Sequence, residues 1–206
     1  SLPDGSRLLD YLTPIVLAIV SYFFSIQLTV LRIVGERSPW GVLDRDLLAL
    51  PRFSLYLGKL AANSLIAFFQ SLVVVAAVFL LFNAFLRGSL VSVFLFFFAS
   101  MLAGVSLGLF FSAVVKSRET AMQLVPLAVL VFMALSGFLI EVKDMPPAVS
   151  SLSLITPMSL SFHAFSDLVL LGKTLGAVVP SILLLGAWFF LINLLAGTIF
   201  CLRDLK

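Results

Sequence analysis

Long apolar runs alternate with short polar breaks along the chain, and five of the runs are long enough to cross a bilayer as helices. They predict spans at about 11–34, 57–82, 90–115, 120–140 and 174–200. At about 1.5 Å per residue the first covers roughly 36 Å, more than the roughly 30 Å of a hydrocarbon core. A transmembrane β-strand needs only about 9–11 residues. Backbone polar groups in lipid must be satisfied within the segment, so runs of this length predict helices. The expected fold class is an all-α integral membrane protein, one domain over residues 1–206.

Two stretches depart from this pattern. The first is the charged interruption between the first two spans. Ser38-Pro39 reads as a helix start, with Ser as cap and Pro at the first position. Pro51 reads as a stop, because the residue before a proline is pushed out of the helical region. Between them Trp40, Leu43, Leu47 and Leu50 recur at helical spacing and define one apolar face. A short amphipathic surface helix at about 39–50 is therefore expected. It could lie on lipid or dock on a protein. Asp44 and Asp46 would gain little from an anionic leaflet.

The second stretch, Glu141 to Lys173, mixes Glu141, Lys143, Asp144, Pro146, Pro147, Pro157, His163 and Asp167 with many apolar residues. It is too polar for a plain span and too apolar for a plain loop. Two short half-helices at about 145–170, dipping into the bilayer and broken at Pro157, fit it. Such segments persist at membrane depth when they pack on protein or face a cavity.

Charge orients the spans. With the first interruption inside, the inner side holds Arg32, Arg37, Arg45, Arg52, Lys59, Lys116, Arg118, Arg203 and Lys206, and the outer side Arg7, Arg87, Lys143 and Lys173. That asymmetry satisfies the positive-inside rule and puts the C-terminus in the cytoplasm. It leaves Ser1 outside with no signal peptide, which predicts a further span preceding this sequence, with or without an external domain.

Composition agrees: 62% of the residues are hydrophobic and 11% charged, against about 45–50% and about 25% in soluble domains. The basic residues sit at span ends, so the net charge of +3 does not point to nucleic acid. A single cysteine, Cys201, excludes a disulfide within the chain and a cysteine metal cluster. No P-loop or H-E-x-x-H pattern occurs. His163, the single histidine, has no evident nucleophile or metal partner. No ionisable group lies at the centre of a span, which argues against a proton- or ion-coupled carrier. The polar residues within spans are Gln27, Asn63, Gln70, Gln123 and Asn193. With Gly104 and Gly108, a G-x-x-x-G pair beside Ser106, they fit helix–helix packing. Gln27, Asn63, Gln70 and Asn193 could alternatively line a transport path.

Several stretches together resemble a known family. They are Glu36-Arg37 with Gly41, Leu47-Leu48 and Pro51; Gly58-Lys59; Ser106-Leu107-Gly108-Leu109; Ser117 through Leu124; Leu135-Ser136-Gly137-Phe138 with Met145-Pro146-Pro147; and Leu154 through Met158. In this order and spacing they resemble the membrane subunit of ABC transporters of the ABC-2 (type V exporter) permease family. Ser38-Pro39 stands where that family commonly has a second acidic residue.

The resemblance implies six spans, of which this chain would lack the first. It also implies a second permease subunit and a separate ABC ATPase that binds ATP and Mg, with no cofactor or catalytic residue in this chain. Trp40, Gly41, Leu43, Asp44, Arg45, Asp46 and Leu47 would form the coupling helix that docks on the ATPase. The implied function is export across the plasma membrane of a hydrophobic or amphipathic substrate, such as a drug, a lipid or a glycan-like molecule. The alternative is a non-transporting membrane anchor or receptor for a cytoplasmic partner.

Overall fold

Hydrocarbon offers the backbone no hydrogen-bonding partner, so each apolar run closes its own ladder. In the computed structural model, which describes residues 8–36, 52–81, 88–115, 117–137 and 145–203, this gives seven helices and no strand among the described residues. They are α1 (Leu8–Glu36), α2 (Arg52–Ala76), α3 (Leu90–Val114), α4 (Arg118–Leu135), α5 (Pro147–Ile155), α6 (Pro157–Val169) and α7 (Leu175–Arg203). A π-helical turn, Ala77–Leu81, extends α2. Five helices, α1, α2, α3, α4 and α7, are long and apolar enough to cross a membrane. The amphipathic helix expected at about 39–50 lies outside the described residues.

The bundle is organised around α3, which packs against α1, α2, α6 and α7. Its sequence is apolar all round, as a helix surrounded by others requires, and Phe96, Phe97, Ser100, Met101, Gly104 and Gly108 are among its buried residues. By contrast α7 shows Leu183, Phe190 and Leu194 on its outside, and α2 shows Leu65, Phe69 and Val73. In a membrane these side chains face lipid, where exposure of apolar surface carries no penalty.

The tightest seam lies between α1 and α3. A Cβ added at Gly104 would stand 2.8 Å from the Ser25 Cβ, and one at Gly108 2.7 Å from the Thr29 Cβ. Ser21, Ser25 and Thr29 recur every four residues and form the facing stripe on α1. Small residues on both helices thus let the backbones approach, which is how packing holds helices together where lipid removes the hydrophobic drive. Ser21 returns its hydroxyl proton to the carbonyl of Ala18, which satisfies it within α1.

Turn chemistry explains the element ends. Ser117 caps α4: its hydroxyl accepts from the Thr120 N–H at 3.1 Å, as an N-cap does. At the other end Gly137 takes φ 82°, a left-handed conformation suited to glycine, and α4 stops at Leu135. Gly172, at φ 64°, turns the chain from α6 into α7 in the same way. There the Lys173 N–H donates to the Asp167 carbonyl and its ammonium pairs with the Asp167 carboxylate at 2.9 Å.

Candidate functional site

Two polar clusters lie where an apolar bundle should have none. The first is centred on Tyr22, Ser100 and Ser161, each fully buried. The Tyr22 hydroxyl lies 3.0 Å from the Pro157 carbonyl and 3.0 Å from Ser161 Oγ. Ser161 Oγ lies 3.0 Å from Ser100 Oγ, which can donate to the Phe96 carbonyl at 3.0 Å. Three hydroxyl protons serve these four contacts. Tyr22 donates to the Pro157 carbonyl and Ser100 to the Phe96 carbonyl, and Ser161, between them, has its one proton for either of the two hydroxyls. Residues from α1, α3 and α6 are thereby joined, and Phe165 on α6 packs edge-on against Phe96 with ring centres 4.9 Å apart.

This cluster fixes the depth of the α5–α6 pair. Tyr22 follows Leu12, where the first span begins, by ten residues, and Ser100 follows Leu90 by the same number. Ten residues of helix rise about 15 Å, half of a roughly 30 Å core. The junction of α5 and α6 therefore reaches the mid-height of the bundle. Pro157 starts α6, since a proline at the first helical position forfeits no intrahelical bond. The Thr156 hydroxyl turns back to the Ser153 carbonyl at 2.9 Å and closes α5 instead of capping α6. The two half-helices broken at Pro157 that the sequence predicts are present. They are packed on α1, α3, α4 and α7.

The second cluster is centred on Asn193 of α7. Its Oδ1 accepts from the Tyr56 hydroxyl at 2.6 Å, and its Nδ2 donates to Ser106 Oγ at 2.7 Å and to the Phe189 carbonyl at 2.7 Å. Ser106 passes its own proton to the Leu102 carbonyl at 3.0 Å. Every polar atom of the Asn193 side chain is engaged, in bonds that tie α2, α3 and α7 together. Gly197, one turn on, leaves room for the Tyr56 ring, 3.5 Å from where its Cβ would stand. One turn after Tyr56, the Lys59 ammonium pairs with the Glu36 carboxylate at the end of α1.

The remaining residues singled out from the sequence are dispersed. Asn63 donates to the Lys59 carbonyl at 2.8 Å, a bond within α2. Gln70 is half-buried on the same helix. Gln27 buries its Oε1 without a hydrogen-bond partner, as do the hydroxyls of Ser25, Ser153 and Ser159. His163 is exposed on α6, its ring beside Phe162. Trp40, Gly41, Leu43, Asp44, Arg45, Asp46 and Leu47 lie outside the described residues. No group of three or more His, Cys, Asp or Glu that could hold a metal occurs among the described residues.

Tyr22 and Tyr56 are the helix-bridging residues that sequence reasoning passes over. A signal for them existed: only three tyrosines occur in the chain, and a phenol inside a span needs an acceptor from a neighbouring helix.

Five helices long and apolar enough to cross a membrane, with the short α5–α6 pair packed against them, describe a multi-pass membrane protein. Residues 4–198 match the family model described as ABC-2 family transporter protein, and the chain belongs to that family. Membership implies partnership with an ABC ATPase, and the family is the membrane component and not itself the ATPase. No curated protein and no solved structure matches the chain.

Proposed function

We propose that the chain is the permease subunit of an ATP-driven exporter that moves a hydrophobic or amphipathic substrate out of the cell. Its C-terminus is cytoplasmic, it pairs with a second permease subunit, and ATP and Mg bind to the partner ATPase. The observation that carries this reading is the family match over residues 4–198. An interior whose polar groups are neutral hydroxyls and amides is consistent with it, since such groups tolerate an uncharged or amphipathic passenger and offer no site for an ion cycle.

Within this reading the segment around Trp40 to Leu47 docks on the ATPase, with Asp44, Arg45 and Asp46 as its polar contacts. Gln27, whose buried oxygen lacks a partner, and Gln70 are the pathway candidates. The side-chain bonds of Asn193 hold the bundle, and Asn63 bonds within its own helix. The α5–α6 pair closes the outer end.

The test is affinity purification of the tagged chain from its own host, followed by ATP hydrolysis and export of a lipophilic dye from proteoliposomes. A co-purifying P-loop ATPase with ATP-dependent dye transport supports the proposal. Its absence leaves the membrane anchor.

A further inference from the structure

The cytoplasmic ends of α1 and α2 flank the segment proposed to dock on the ATPase, and two polar contacts sit on α2 within its first two turns. Tyr56 and Lys59 are three residues apart, so they share a face of the helix. Both point inward. Tyr56 is 3% exposed, and the Lys59 side chain retains 17%. Lys59 pairs with Glu36, the last residue of α1. Tyr56 donates to Asn193, which in turn donates to Ser106. These contacts run in series from the end of α1, through the start of α2, to the lower halves of α7 and α3.

Rigidity elsewhere gives this series its meaning. α1 lies close against α3 at Gly104 and Gly108, where an added Cβ would collide with Ser25 or Thr29. A push on the α1–α2 connection therefore acts on a pair of helices that are closely packed together. Lys59 is the more covered end of the pair, at 17% exposure against 45% for Glu36, and the contact joins the end of α1 to the start of α2. Both Nδ2 protons of Asn193 are engaged, so it cannot take a new acceptor without giving up Ser106 or the Phe189 carbonyl.

We propose that Glu36–Lys59 and Tyr56–Asn193–Ser106 form one mechanical linkage that carries movement of the α1–α2 connection into α7 and α3. The inference rests on the transporter reading above. Glu36, Lys59 and Tyr56 are positioning residues in it. They touch neither nucleotide nor substrate.

The experiment measures two quantities on the complex purified through the tagged chain: the amount of ATPase retained and the permease-dependent rate of ATP hydrolysis. Glu36→Lys and Lys59→Glu each retain the ATPase but lower the permease-dependent rate about tenfold. The exchanged pair Glu36→Lys with Lys59→Glu restores it to within about threefold of the original, because the opposed charges meet again. Tyr56→Phe lowers the rate alone and adds little to Lys59→Glu, as members of one series do. Should charge reversal prevent folding, Glu36→Gln and Lys59→Met give the same ordering without a like-charge contact. Rates within twofold of the original in the single variants, or no recovery in the exchanged pair, overturn the linkage. A wild-type chain that retains no ATPase overturns the transporter reading itself, and the linkage with it.

Discussion

At the scale of single residues, the α1–α3 seam makes the sharpest demands. A Cβ added at Gly108 would meet the Thr29 Cβ itself, at 2.7 Å, not the far end of a flexible side chain. Gly108→Ala should therefore destabilise by about 1–3 kcal/mol, the usual penalty for overpacking, seen as a lower melting temperature in detergent. Thr29→Gly should recover part of that loss and Thr29→Ser should not, because only glycine removes the colliding atom. Equal recovery by both would show that the seam relaxes by shifting the helices apart. Gly172 makes a different demand. At φ 64° it has a left-handed conformation, and Gly172→Val should cost about 1–2 kcal/mol through backbone strain alone. The local signature of the seam was visible in the sequence as Gly104 and Gly108. Its partner stripe was not, because a serine that only satisfies its own helix, such as Ser71 bonding the Phe68 carbonyl, looks the same as one in a seam.

At the scale of elements, the α5–α6 pair is held by hydroxyls. Removing one contact of the Tyr22–Ser161–Ser100 chain should have a graded effect. Tyr22→Phe removes a proton and leaves the Pro157 carbonyl without that partner, and a loss of about 0.5–2 kcal/mol is expected, in line with interhelical hydrogen bonds in membranes. Ser161→Ala cuts the chain at its middle and should cost at least as much. Combined with Tyr22→Phe it should cost less than the sum, since both break the same contact. Additive melting shifts would mean that the hydroxyls act independently. The break between α5 and α6 was legible at Pro157, because proline is confined to helix starts and interruptions. The partners of α6 were not, because sequence periodicity tells which face is apolar and not which neighbour it meets. For the same reason Asn193 read equally well as a path-lining or a packing residue until Tyr56 and Ser106 were found against it.

At the scale of the whole molecule, the arrangement predicts how force and topology relate. If the proposed docking segment transmits work, Asp46→Lys or Leu47→Asp should uncouple ATP hydrolysis from transport by about tenfold. Unchanged coupling in both variants would remove the docking role. Orientation is checked separately. A membrane-impermeant thiol reagent applied to intact cells should label a cysteine placed at Lys173 and spare the native Cys201, with the reverse labelling in inverted vesicles. The number of helices able to cross the membrane could be read from hydropathy, because the bilayer imposes a length. The centrality of α3 is hinted at only by its unrelieved apolarity, and the pairing of Glu36 with Lys59 across 23 residues has no local signal at all.

The mid-height position of Thr156 also sets an order of biosynthesis. α5 has 9 residues and α6 has 13, about 14 and 20 Å of helix, so neither can span a bilayer alone. Their buried hydroxyl partners, Tyr22 and Ser100, belong to helices that leave the ribosome earlier. The hairpin thus has a place to insert once α1 and α3 have met. A mutation in the Gly104–Gly108 seam would be felt by the nascent chain as a missing berth for α5 and α6, and quality-control proteases would meet that unseated hairpin before the finished transporter existed.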